Sequence, residues 1–260
     1  MRTRLLSAAC VLTAALTVLL PGSPASAAAP VDYVALGDSY SSGTGAPPYS
    51  SNVFCLRSPR GYPQLWANTH AVSSFRYVAC GGATTASMTG QFSALSAATD
   101  LVTITIGGND VGFADTMLSC VLNTSSACVS AVDAGIAKAN NELPAKLDAT
   151  YATIRDRAPN ATVLVLGYPR LIDPGSSCYT ATKVAALTKG ADALNAVIAA
   201  RAAAAGLRFV DARARFAGHG ACASSRWINQ FSALALAESF HPNATGYAQG
   251  YLYLVNTVTG

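Results

Sequence analysis

Five short runs of apolar residues and strand formers constrain this chain most: residues 31–36, 75–79, 101–106, 162–167 and 207–211. The third is β-branched at nearly every position, which suits a pleated, buried strand. The runs are continuous and do not alternate with polar residues, so both faces of the sheet they form are covered. Helical patterns separate them: 61–70, then 130–157 with a break expected at Pro144, then an Ala-rich stretch at 181–205 closed by Gly206. A last helix begins at 243 or 244 and runs toward 258. Strands alternating with helices predict an α/β fold with a parallel sheet.

In such a sheet a ligand binds outside the carboxyl ends of the strands. Three unusual turns fall there. The first run enters Gly37-Asp38-Ser39-Tyr40-Ser41-Ser42-Gly43, a turn crowded with small residues. The second enters Cys80-Gly81-Gly82, and the third Gly107-Gly108-Asn109-Asp110. Each has a plain alternative: a serine that caps a helix, a tight glycine turn, an asparagine cap. Together they bring a hydroxyl, a free amide and a side-chain amide to one crevice. Acyl transfer uses these parts, because the hydroxyl attacks a carbonyl and the N–H groups hold the oxyanion that forms.

The attack also needs a base. The chain has three histidines, His70, His219 and His241. His70 falls at a helix end and His219 between glycines, both positions that suit surface or structural roles. His241 precedes Pro242, which fixes the backbone just before the last helix.

With these residues in order, Gly37-Asp38-Ser39, Gly82, Gly108-Asn109-Asp110 and His241-Pro242, the chain resembles the GDSL lipases, also called SGNH hydrolases. The resemblance covers nearly all of the chain after its leader and is closest to the secreted bacterial lipase, esterase and phospholipase branch. It implies a three-layer α/β/α sandwich around a five-stranded parallel sheet of flavodoxin-like order 2-1-3-4-5. It also implies Ser39 as nucleophile and His241 as base. The amides of Ser39 and Gly82, with the Asn109 side chain, would form the oxyanion hole. One position departs from the family's Asp-x-x-His-Pro: in this chain it is Glu238. Either this carboxylate reaches the imidazole, or a backbone carbonyl such as that of Ser239 orients it, and the second is favoured slightly.

The amino terminus has Arg2 and Arg4, an apolar stretch to Leu20, and Ala25-Ser26-Ala27. That pattern predicts a secretory signal peptide over residues 1–27 and a catalytic domain over 28–260. Without the leader, 15 basic and 13 acidic side chains remain, a balance that gives no footprint for nucleic acid. Of seven cysteines, Cys10 leaves with the leader, and an even six in an exported protein imply three disulfides. Pairing in chain order is expected: Cys55–Cys80, Cys120–Cys128 and Cys178–Cys222, each bracing a loop. The Gly-x-Ser-x-Gly elbow fails at Ser41, and no phosphate loop or zinc motif occurs. No metal and no cofactor are therefore expected.

The expectation is a secreted, monomeric ester hydrolase acting on acylglycerols or phospholipids, with transient contact to lipid interfaces. The loop residues Tyr49, Phe54, Leu56, Phe113, Met117, Trp227 and Phe231 are candidates for an acyl groove. A carbohydrate or short-chain acetyl esterase is the alternative, and a binding module without catalysis a weaker one.

Overall fold

The computed structural model describes residues 29–50 and 54–260. The predicted signal peptide and Cys10 lie outside the described residues. Strand β1 (Val31–Gly37) leads into a single helical turn, α1 (Ser39–Ser42). Then come α2 (Tyr62–Thr69), β2 (Val72–Tyr77), a 3-10 segment (Ser87–Ala94) and β3 (Leu101–Thr105). Three helices follow, α3 (Phe113–Leu122), α4 (Ser125–Asn141) and α5 (Leu143–Arg157), and then β4 (Thr162–Leu166). The chain closes with α6 (Ala181–Ala204), β5 (Arg208–Val210), a wide π-type segment (Gly246–Leu252) and α7 (Tyr253–Thr259).

All neighbouring strands pair in parallel, in the order β2-β1-β3-β4-β5. Every residue of β3 is buried, as are the last five of β1. Successive side chains point to opposite faces, so this burial requires cover on both sides of the sheet. Helices α3 to α6 pack on one another, while α2 packs with the C-terminal helical segments. The chain reverses direction across the sheet between β1 and β3. Their carboxyl ends therefore open the crevice that this topology leaves for a ligand.

The structure departs from the sequence expectation in three places. Strand β2 starts at Val72, earlier than expected; it is an edge strand, only half-buried, and its apolar pattern is correspondingly weak. The helical pattern over 130–157 starts earlier, at Ser125, and its break falls at Glu142, two residues before the expected Pro144. Pro144 sits in the first turn of α5, where a missing N–H costs nothing. Helix α3 has no counterpart in the sequence pattern, because it follows the Gly-rich turn after β3 with no polar cap ahead of it. The last helix starts at Ala244, as expected, and widens into the π-type segment from Gly246 to Leu252. The three disulfides join Cys55 to Cys80, Cys120 to Cys128 and Cys178 to Cys222, the pairs expected.

Candidate active site

Gly37 ends β1 with φ +116°, and a Cβ there would collide with the Thr105 carbonyl oxygen of β3. Only glycine fits, and the close approach turns the chain sharply into α1. The Gln91 side chain satisfies both backbone groups of Gly37, accepting from its N–H at 2.8 Å and donating to its C=O at 3.0 Å. Asp38 caps α1 by accepting the Tyr40 N–H at 3.0 Å. The Ser41 hydroxyl accepts the Thr105 N–H at 2.9 Å and so pins the turn to β3. Ser39 is thus held from below and both sides, and its residue remains 9% exposed.

His241 lies 202 residues further along, yet its Nε2 is 2.7 Å from Ser39 Oγ. Its Nδ1 is 3.0 Å from the Ser239 carbonyl oxygen. A carbonyl only accepts, so Nδ1 carries the proton and Nε2 is left to accept from the serine hydroxyl. Burial lowers the imidazole's pKa to about 4, against the Ser239 hydrogen bond, which raises it. The neutral ring therefore persists well below pH 7. The Glu238 carboxylate turns elsewhere and accepts from the Tyr49 hydroxyl at 3.0 Å, while that hydroxyl accepts the Gly45 N–H at 3.0 Å. Of the two ways to orient His241, the geometry follows the Ser239 carbonyl.

The other two turns close on the same spot. Gly82 has φ +76°, and a Cβ added to it would meet nothing within 4 Å, so its backbone borders open space. The neighbouring Gly81 N–H is spent on the Cys55 carbonyl at 2.9 Å. Asn109 Nδ2 donates to the Ala83 carbonyl at 2.9 Å, which uses one of its two N–H groups. Asp110 fastens the same two loops by accepting from the Thr85 N–H at 3.0 Å and the Thr85 hydroxyl at 2.6 Å. Ser39, Gly82, Asn109 and His241 all line one cleft of about 380 Å³.

Several residues that hold this site carried no sequence signal. Tyr40, next to the serine, donates its hydroxyl to the Phe240 carbonyl at 2.6 Å, just before the histidine. Phe240 needs that tether, since its φ is +61°, rare for a bulky residue. Tyr168 at the end of β4 donates to Asp38 at 2.5 Å and accepts the Gly108 N–H at 2.9 Å. One phenol thus links the serine turn to the asparagine turn. Asp38 is fully buried, and desolvation raises its pKa to about 7, against the bonds from Tyr168 and Tyr40. Residues that contact each other only after folding leave no spacing to read.

The remaining candidates separate. Phe54, Leu56, Phe113, Met117 and Phe231 line the cleft. Tyr49 serves Glu238 instead, and Trp227 stacks on His219 at 3.8 Å and packs edge-on against Phe216. His70 stacks on Trp66 at 4.1 Å. Among the described residues, no cluster of three His, Cys, Asp or Glu side chains is arranged to hold a metal ion.

A model of the GDSL-like lipase/acylhydrolase family matches residues 35–249. The chain belongs to this family. It is 48% identical over 247 residues to Lipase 1 of Streptomyces coelicolor, covering 94% of this chain and 92% of that one. Among solved structures it is similar to the extracellular lipase of Streptomyces rimosus, at 46% identity and TM-score 0.85, over 87% of this chain and 99% of that one. It is also similar to phospholipase A1 of Streptomyces albidoflavus, at 42% identity and TM-score 0.86, over 88% and 99%. The family makes this chain a carboxylic ester hydrolase.

Proposed function

We propose that the chain hydrolyses lipid esters, acylglycerols or phospholipids, through an acyl-enzyme on Ser39. The observation that carries this is the 2.7 Å pair of Ser39 Oγ and a neutral, buried His241 Nε2 at the floor of an apolar cleft. Ser39 Oγ attacks the ester carbonyl as its proton passes to Nε2. The oxyanion is met by the Ser39 and Gly82 N–H groups and the second N–H of Asn109. The tetrahedral intermediate collapses as the imidazolium protonates the leaving alcohol. Water then attacks the acyl-enzyme by the same route, giving its proton to Nε2, and the acid leaves as Ser39 regains its hydrogen. The Ser239 carbonyl stabilises the imidazolium formed in each half-reaction, a role a carboxylate plays in the serine triad.

The rim supports a lipid substrate. Phe54, Leu118 and Leu236 line the cleft yet stand 90%, 38% and 55% exposed, an arrangement suited to transient contact with a lipid surface. Export by a signal peptide over residues 1–27 fits the basic, apolar and small-residue pattern, and the similar Streptomyces rimosus protein is extracellular. We take the chain to act as a monomer of the domain 28–260.

The test is fatty-acid release from phosphatidylcholine vesicles and a triglyceride emulsion, with Ser39→Ala as the blank. Release should vanish in that variant, since losing the nucleophile costs on the order of 10⁶ in kcat. Release that survives removes the acyl-enzyme reading; a folded wild type that cleaves only acetyl esters points to the carbohydrate or short-chain esterase instead. Glu238→Gln should cost less than about tenfold. A loss near 10⁴, the size expected for a triad carboxylate, would make Glu238 and not the Ser239 carbonyl the group that orients His241.

A further inference from the structure

A second apolar space lies behind the cleft, a cavity of about 80 Å³ between α4 and α6. Its walls include Val132 and Ile136 of α4, Leu187 and Leu194 of α6, and the rings of Tyr40 and Tyr168. Cavities lined this way stay dry, and one of roughly 150 Å³ binds benzene. This space is about half that size, so its natural occupant is the end of an apolar chain and not a whole ligand. Phe113 borders both the cavity and the catalytic cleft. Its ring lies 6.3 Å from that of Tyr40 and 6.2 Å from that of His241, and it is only half-buried.

Two glycines inside helices face this cavity, and they differ. Gly190 of α6 has a reason in packing, since a Cβ there would crowd Val132 Cγ1 at 3.0 Å. Gly135 of α4 has no such reason. A Cβ there would meet the Val111 carbonyl at 3.5 Å and the Thr116 hydroxyl at 3.8 Å, which are ordinary contacts. Alanine would fit and is the better helix former. What glycine preserves at 135 is space, next to two residues that line the cavity.

We propose that this cavity receives the far end of a long acyl chain whose ester lies at Ser39, and that Phe113 is the gate between the two. The inference rests on the acyl-enzyme reading and deepens it, because it names a residue that sets chain length. With the ring in place the cleft takes short and medium chains. With the ring swung aside the cleft and cavity join, and the last methylenes of a longer chain are buried against α4 and α6. Methylene burial is favourable in proportion to the area removed from water, so the gain appears only for chains long enough to pass the gate. The occupant is tied to the cleft by continuity through Phe113.

The experiment measures kcat/KM on p-nitrophenyl butyrate, caprylate and palmitate and follows the palmitate-to-butyrate ratio. Phe113→Ala should raise the ratio threefold or more, and adding Ala139→Leu, which fills the cavity from α4, should cancel the rise. Gly135→Ala alone, with the gate intact, should lower the ratio. A change below threefold in Phe113→Ala, or a rise that Ala139→Leu leaves standing, overturns the proposal; the latter would mean that only the cleft had widened. If Phe113→Ala does not fold, Phe113→Leu and Gly135→Ala decide the matter in the same way. Ser39→Ala separates the two readings. Butyrate hydrolysis that survives it defeats the acyl-enzyme, whereas Ser39-dependent hydrolysis with an unmoved ratio defeats the gate alone.

Discussion

Below Ser39, the polar groups of Asp38, Tyr40, Gln91 and Tyr168 are buried and each is hydrogen-bonded. Above it, Phe54 and Leu236 stand in solvent although they are large and apolar. The floor costs the chain desolvation, which only satisfied hydrogen bonds offset. The rim leaves apolar area in water, which only a partner can cover. A protein that needed stability alone would do neither. On the proposed function, placing both beside one serine separates two tasks: the floor holds the reacting groups, and the rim and cleft accept a substrate of loose shape.

Three changes test that division, beginning with the largest effect. Asn109→Ala removes the side-chain donor proposed for the oxyanion, next to the floor, and should lower kcat on any ester by about 10²–10³, with little change in KM. A fall confined to KM would place Asn109 among the substrate contacts and blur the boundary between floor and rim. Leu236→Asp acts on the rim alone. Full burial of a leucine in lipid is worth about 1.5–3 kcal/mol, so vesicle hydrolysis should drop about tenfold or more while a soluble butyrate ester is cleaved as before. Equal losses on both substrates would show that the rim shapes the catalytic geometry.

The smallest effect concerns pH. Asp38 has its pKa raised to about 7 in the fold, above its ordinary value of 3.8, so the native state binds the extra proton between those values. Its contribution therefore falls as pH rises from about 4 to 7. His241, lowered to about 4 from 6.5, acts oppositely: the unfolded state binds its proton in that window, so stability is lost as pH falls. Asp38→Asn deletes only the first of these. Its melting temperature, compared with the wild type, should improve by a few degrees between pH 5 and pH 8. A difference that does not change with pH would mean that Asp38 does not titrate between pH 5 and pH 8 in the folded protein. On a soluble ester, kcat/KM should rise with pH through about 4, as His241 loses its proton.

The sheet was legible in the sequence because central strands buried on both faces favour apolar and β-branched residues, of which 101–106 consists. The serine, glycine, asparagine and histidine stood out because each sits at a strand end or before a proline, where local chemistry restricts the residue. Edge strand β2 and helix α3 were hard to place for the converse reason: half-buried or uncapped elements leave weak patterns.

The sequence by itself determined which residue types could do the chemistry, since a hydroxyl, an imidazole and amide donors are properties of side chains and turns. Only the tertiary structure decided how they are held. The hydrogen bonds of His241 to the Ser239 carbonyl and of Tyr49 to Glu238, the Tyr168 link from Asp38 to Gly108, and the place of Phe113 between two apolar spaces all join residues distant in the chain or turn on a side-chain direction. Such contacts form when strands and helices close on one another, and no local spacing encodes them.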